Sequence, residues 1–463
     1  MRNSCVKIFL NAECRMPNAF LAFCFSFLLS FPSHAAVFNP ETFTLSNGLQ
    51  IVIVQNRLSP AVVQMVWYKV GSVDEPEGKS GLAHYLEHLM FRGTEQVPPG
   101  EFNRIIAAQG GSSNAFTSHD FTAYHEAIAA DRLAMVMQLE ADRMQNLRIT
   151  QETALPERDV VLSEREERTG NNPQGIFQER LRKALYPNHP YGIPVIGWRP
   201  EIEKITVDDV KEFYRHFYAP NNAVVIISGN VETNDVLGLA VATFGRVPLR
   251  EVPAKRPFPA LKTPSESRLV MKDARVQQPL IAIHTLAPSI MTQKRNEAYA
   301  LEVLSEALCG GEVGVLYRDL VIKQPLASSV DCSYASSSRG PSDFIIAATP
   351  NPGFPIDDLE KALNQKLQQL SQKGLNAKTV MEAKKRLRRS AIFARDSLTA
   401  PGHIFGAALT TGETIADVEN WPESIKAVTP ADVNSGLRTL IASKFRITGL
   451  LLPEPKNQAV DAP

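Results

Sequence analysis

Residues 81–91 read Gly81-Leu82-Ala83-His84-Tyr85-Leu86-Glu87-His88-Leu89-Met90-Phe91. Apolar residues at Leu82, Leu86, Leu89 and Met90 recur at helical spacing, and Gly93 is placed to close the helix. His84 and His88 are four residues apart, so they share one helical face, one turn apart. Two imidazoles so placed can hold one Zn2+ at about 2.0–2.1 Å each. Glu87 precedes the second histidine and stands beside that metal position, where a carboxylate can take a proton from a water. The order His-x-x-Glu-His inverts the commoner zincin order.

A zinc that does chemistry takes three protein ligands and leaves a fourth position open. Downstream, Pro156 to Arg168 reads as a helix, with Val160, Val161 and Leu162 as its buried surface. Glu157 and Glu164 are seven residues apart on it, two turns, and share a face. Glu164 is the third ligand this reading selects. Periodicity alone leaves Glu166 and Glu167 as rivals. Glu157 is placed to hydrogen-bond a ligand or the water. His119 and His125 lack ligand spacing and read as structural.

Outward from this segment, strand-like and helix-like stretches alternate. Phe43–Leu45 and Leu49–Val54 flank Asn47-Gly48, a strong hairpin signal. Ala61–Val70 and Ala223–Ser228 read as strands, and Glu101–Ala108 and Asp131–Met144 as helices. A Pro-rich stretch then reads as a linker. The pattern returns after it: strands near Arg268–Lys272, Leu280–Thr285 and Phe344–Ala348, and helices at Lys294–Leu308 and, rich in Lys and Arg, Ala377–Arg395. The second half reads as a degenerate copy of the first. The expected fold is α+β, two similar domains, each a β-sheet packed with helices. The boundaries are 36–246 for a metal-binding domain, 247–265 for the linker, 266–452 for the second domain and 453–463 for a tail.

The 463 residues exceed one ordinary core. Lys+Arg and Asp+Glu balance at 49 each, so no basic field calls for nucleic acid. Arg2, Lys7 and Arg15 precede the apolar run Ala19–Phe31, too short to span a bilayer comfortably, and Ser33-His34-Ala35 follows. This reads as a signal peptide in residues 1–35, giving a periplasmic or secreted protein with no stable membrane span; a retained anchor is the alternative. Cys309 and Cys332 are the cysteines left after cleavage, and the expectation is free thiols.

At these motifs the chain resembles the pitrilysin/insulinase family of inverzincins, which includes mitochondrial processing peptidase and bacterial two-domain members. The resemblance covers nearly the whole mature chain. In that family the glutamate ligand follows His-x-x-Glu-His by some 76 residues, and Glu164 lies 76 residues after His88. A second family glutamate seven residues earlier matches Glu157. Further matching stretches are Gly110-Gly111-Ser112-Ser113-Asn114-Ala115-Phe116-Thr117, His189-Pro190-Tyr191-Gly192, and Phe213-Tyr214 through Pro220-Asn221-Asn222-Ala223. The resemblance implies a Zn2+ metalloendopeptidase, with Glu87 as general base and the chain closing as a clamshell with a second subunit.

Asn114, Ala115, Phe116 and Thr117 alternate apolar and polar after a glycine pair, as in an edge strand that can pair with an extended peptide. The resemblance implies that they bind substrate there. It also exposes a departure. Active assemblies of the family carry an Arg and a Tyr seven residues apart in a C-terminal domain, near substrate. Aligned on Leu320 and Leu326, those positions hold Val321 and Ser328, with Arg318 and Tyr334 off register. A homologous sister subunit that supplies the pair in a heterodimer, or a homodimer, is therefore expected. The alternative function is a catalytically weak or silent subunit of a peptidase-like assembly.

Overall fold

Asn47-Gly48 turns the chain as its hairpin signal predicts. Gly48 takes φ +85°, a conformation other residues rarely adopt, and Leu45 N–H donates to the Leu49 carbonyl at 2.9 Å. Strands β1 (Glu41–Thr44) and β2 (Gln50–Gln55) thereby pair antiparallel. The structure, a computed structural model, describes residues 37–264, 267–292 and 294–454; the expected signal segment and the residues after 454 lie outside these. None of the described helices is long and apolar enough to cross a membrane.

Four further strands complete the first sheet: β3 (Ala61–Tyr68), β4 (Ser112–Thr117), β5 (Thr122–Ala129) and β6 (Ala223–Gly229). Their order is β1-β2-β6-β3-β5-β4. The second sheet holds β7 (Arg268–Asp273), β8 (Leu280–Ala287), β9 (Ala327–Tyr334), β10 (Ser342–Pro350) and β11 (Arg446–Pro453), in the order β7-β11-β8-β10-β9. Apart from β1 the two sheets are alike: β2 with β6 and β7 with β11 are the parallel pairs, and the other neighbours are antiparallel. The second half thus repeats the first, and β4 and β9 are corresponding edge strands. Strand β11 runs through Pro453, one residue into the expected tail, because Pro453 registers with Asp273.

Each sheet buries one face under its own helices. On the first, Ile51, Ile53, Val62, Val66 and Ile227 meet Leu82, Leu86, Val136 and Val210. The opposite faces are covered by exchange. Helix Ala400–Thr411, from the second half, lies on Val63, Met65, Trp67, Val224 and Ile226 of the first sheet. Gly406 makes that approach possible, since a Cβ there would fall 1.9 Å from the Trp67 ring. Reciprocally, Phe177, Leu181 and Leu185 of helix Pro173–Leu185 pack on Ala282, Ile447 and Leu451 of the second sheet. The proline-rich segment between the halves is also seated: Lys255 reaches Asp74 at 2.9 Å, and Phe258 packs, tilted, against His189 and Tyr191.

Cys309 ends helix Arg295–Cys309 and Cys332 lies on β9, with Cα atoms 5.5 Å apart, and the two form a disulfide. This corrects the expectation of free thiols. The pairing depends on a helix end meeting an edge strand, which the count of two cysteines does not reveal. A disulfide persists in an oxidising compartment.

Candidate active site

Helix Leu82–Leu89 presents His84 and His88 to one side because Leu82, Ala83, Leu86 and Leu89 are buried on the other. The second glutamate-bearing helix begins earlier than its sequence suggests, at Gln151, capped by the Thr150 hydroxyl, so Pro156 lies inside it. Its buried anchors are Ala154, Glu157 and Val161, while Val160 is 45% exposed and contributes no core surface. The two helices pack so that Glu164 faces the histidine pair.

Oε2 of Glu164 lies 3.2 Å from Nε2 of His88 and 3.6 Å from Nε2 of His84. The three ligand atoms all fall within 4.8 Å of one another, and they form the one candidate metal cluster among the described residues. A tetrahedral zinc with bonds of about 2.1 Å has ligand–ligand edges of roughly 3.4 Å. The residues therefore fit zinc in donor type and spacing. Oε2 of Glu164 is also buried and, beyond its ion pair with His88, accepts no well-directed hydrogen bond among the described residues, so a cation there would satisfy it. Glu166 and Glu167, the rivals, lie beyond the helix in the π-helical turn Glu166–Gly170 and are exposed.

Other residues hold these three side chains. Glu157, 4% exposed, accepts a 2.8 Å hydrogen bond from Nδ1 of His88, which presents Nε2 to the metal position, and Arg92 pairs with its other oxygen. Arg168 holds Oε1 of Glu164 at 2.6 Å, one turn on. Nδ1 of His84 is buried and unpartnered, so packing alone orients that ring. Glu87 accepts a 2.5 Å hydrogen bond from the Thr117 hydroxyl.

The electrostatics follow from burial and neighbours. Burial, with His88 adjacent, pulls His84 down to about 4, which keeps it neutral at neutral pH. Burial also pulls on His88, but Glu157 and Glu164 outweigh it and raise it to about 9 without metal. The neighbouring His88 holds the Glu164 carboxyl below the usual carboxylate range. Burial opposes ionisation of Glu157, yet His88 and Arg92 prevail and lower it. Burial raises Glu87, against the opposing pull of the Thr117 hydrogen bond.

Strand β4 is the sheet edge beside Glu87. It pairs inward with β5, from Ser112 with Ala127 to Thr117 with Thr122, leaving its outer side unpaired in the described sheet. Alternation sends Phe116 away from the histidines, onto Trp67, Phe121 and His403. Ala115 packs on the helical side. The Asn114 amide oxygen is engaged by the Ala115 N–H. Side chains of this strand are thus largely committed to the fold, while its outer backbone is left unpaired among the described residues. His119 bonds the Ile193 carbonyl and His125 lies against Phe116, both outside the metal cluster. In the second half, Tyr334 donates to the Pro288 carbonyl, Val321 packs on that half's core, and Ser328 donates to the Thr349 carbonyl at 3.3 Å.

Removing the carboxylate behind His88 tests its positioning. Glu157→Gln is expected to weaken zinc affinity about 10- to 100-fold, the usual cost of losing such a partner, with the fold retained; competition against a chromogenic chelator measures it.

Residues 50–198 match the family described as insulinase (peptidase family M16), and residues 204–387 match the peptidase M16 inactive domain. The zinc protease PqqE of Helicobacter pylori is 35% identical over 345 residues, covering 73% of this chain and 76% of that protein. The crystal structure of a protease from Helicobacter pylori superposes with a TM-score of 0.81 at 30% identity, over 89% of this chain and 99% of that one. The periplasmic protease PqqL of Escherichia coli gives 0.75 at 18% identity, over 89% of this chain and 47% of that one, a likeness of fold alone.

Proposed function

The chain belongs to the insulinase family of peptidases, family M16, and from that premise we propose that it is a zinc-dependent endopeptidase of peptides or unfolded protein segments. The observation that carries this reading is the convergence of His84, His88 and the buried Oε2 of Glu164, with Glu87 on the helix of the two histidines. Zinc bound there supplies a Lewis acid for the scissile carbonyl and for the attacking water. Glu87 takes the proton of that water and returns it to the leaving amine. Glu157 and Arg168 hold His88 and Glu164 in place. Strand β4 aligns the substrate backbone by edge pairing. The exported, oxidising setting inferred from residues 1–35 agrees with the Cys309–Cys332 bond.

Purified protein is expected to contain near-stoichiometric zinc by elemental analysis and to cleave an unfolded protein such as reduced casein in a chelator-sensitive way. Glu164→Gln should lose most of the metal. Full zinc retention in that variant removes Glu164 from the ligand set, and chelator-insensitive cleavage ends the zinc reading.

Val321 and Ser328, in place of an Arg/Tyr pair, favour a partner-dependent enzyme. Neither a short apolar side chain nor a hydroxyl supplies a guanidinium's donor fork. Poorly held substrate costs about 10²-fold. The chain alone is accordingly expected to cleave about 10²-fold more slowly than with a homologous, Arg/Tyr-bearing sister chain. Robust cleavage by a pure monomer or homodimer, sized by light scattering, refutes this dependence.

A further inference from the structure

We propose that Thr117 is the positioning residue of the general base, so that strand β4 sets the place of Glu87 as well as that of the substrate. The proposal rests on the peptidase reading above and gives Thr117 a different role from substrate contact. Its hydroxyl donates to Oε2 of Glu87 at 2.5 Å, and among the described residues this is the only hydrogen bond to that carboxylate. A glutamate side chain has three rotatable bonds, and this hydrogen bond is the one directional contact that fixes where its oxygens lie among the described residues.

Thr117 is well suited to fix them. Its backbone registers with Thr122 on β5, and the next residue closes the hairpin, with Ser118 N–H donating to the Phe121 carbonyl at 2.8 Å. Its neighbour Phe116 is clamped on the opposite face, 5.3 Å from Trp67 and stacked 5.5 Å from His403. The strand therefore cannot rotate about its axis without breaking that aromatic cluster. Alternation then points Thr117 toward helix Leu82–Leu89, and a β-branched side chain is stiff at χ1. The outer edge of the same residue's backbone is free to pair with a peptide. One rigid strand thus references both reactants, the backbone that docks substrate and the hydroxyl that aims the base. A peptide in register on β4 meets a carboxylate already aimed, which is the kind of alignment whose loss by an ångström costs orders of magnitude.

The test uses zinc-loaded full-length mature protein, with a partner chain if cleavage needs one, and an internally quenched fluorogenic peptide. Thr117→Val keeps size and β-branching but removes the donor. It is expected to retain zinc and melting temperature, to keep KM within about twofold, and to lower kcat about 10- to 100-fold. Thr117→Ser restores most of the loss, because the hydroxyl returns. In a Glu87→Gln background, Thr117→Val costs nothing further. Unchanged kcat in Thr117→Val overturns the proposal, as does a raised KM at constant kcat, which makes Thr117 a substrate contact. An equal extra loss in the Glu87→Gln background also overturns it, since Thr117 then acts elsewhere. Zinc-loaded wild type that cleaves nothing, with or without a partner, removes the peptidase reading and this proposal with it. Wild-type cleavage beside an unaffected Thr117→Val removes this proposal alone.

Discussion

Glu87→Gln is expected to keep zinc and fold and to lose about 10²–10⁴-fold in kcat, the usual worth of a general base. Glutamine has the same shape, and its carbonyl oxygen can still accept the Thr117 hydroxyl that Glu87 accepts at 2.5 Å. The candidate metal cluster does not include position 87, so metal affinity should change little. What disappears is the ability to take a proton. The loss should therefore fall on kcat and on kcat/KM alike, with KM nearly constant, the signature of an interaction needed only on the way to the transition state. Zinc by elemental analysis, a melting curve and steady-state kinetics on one preparation decide it. A variant that cleaves at the wild-type rate would show that another group is the base.

How much of this was legible in the sequence follows from the range of each interaction. His84 and His88 sit one turn apart on one helix, and so local periodicity suffices to join them. Glu164 is on another helix. Spacing placed it on the face of Glu157 but could not separate it from Glu166 and Glu167, which the packing turns out to solvent. The repeated halves were readable because each carries its own run of strands and helices. Their exchange was not. Helices Pro173–Leu185 and Ala400–Thr411 bury their apolar faces on the sheet of the opposite half, and nothing in a local pattern names the surface it will meet. The Cys309–Cys332 bond and the Thr117–Glu87 hydrogen bond fail for the same reason: each joins a helix to an edge strand. Alternation on β4 divides Ala115 and Thr117 from Asn114 and Phe116 without saying which pair faces the histidines.

Arg143→Met is expected to destabilise the protein by about 3–5 kcal/mol, the cost of breaking a buried ion pair by removing one partner. Arg143 is 2% exposed, and Glu126 and Glu140 are each 0% exposed. Its Nε donates to Glu140 at 2.7 Å and its Nη2 meets Glu126 at 3.3 Å. Its guanidinium carbon also lies 4.1 Å from the Phe102 ring centre and 4.4 Å from that of Tyr124. Methionine can fill much of that apolar sleeve, so the loss comes from the buried Glu126–Glu140 pair left without its cation. The pH dependence separates this cause from a packing defect. Burial already raises Glu126 well above the usual carboxylate range, with Glu140 adding to the rise. Removing Arg143 raises Glu126 further, because a positive neighbour that lowers it is gone. A folded pKa above the unfolded value of about 4.3 means the folded state holds its proton more tightly. The variant's extra penalty is thus absent below the wild-type folded pKa of Glu126, appears as pH rises through it, and grows until the variant's higher folded pKa is passed. Chemical denaturation of wild type and variant should show a gap that widens from pH 5 to pH 8. Adding Glu126→Gln and Glu140→Gln to Arg143→Met should narrow the gap at pH 8 and flatten its pH dependence. A gap of equal size at both pH values would mean that the aromatic sleeve, and not the stranded charge, is what Arg143 holds together. The site would feel either loss, because Tyr124 registers directly with Ala115 on β4, two residues before Thr117.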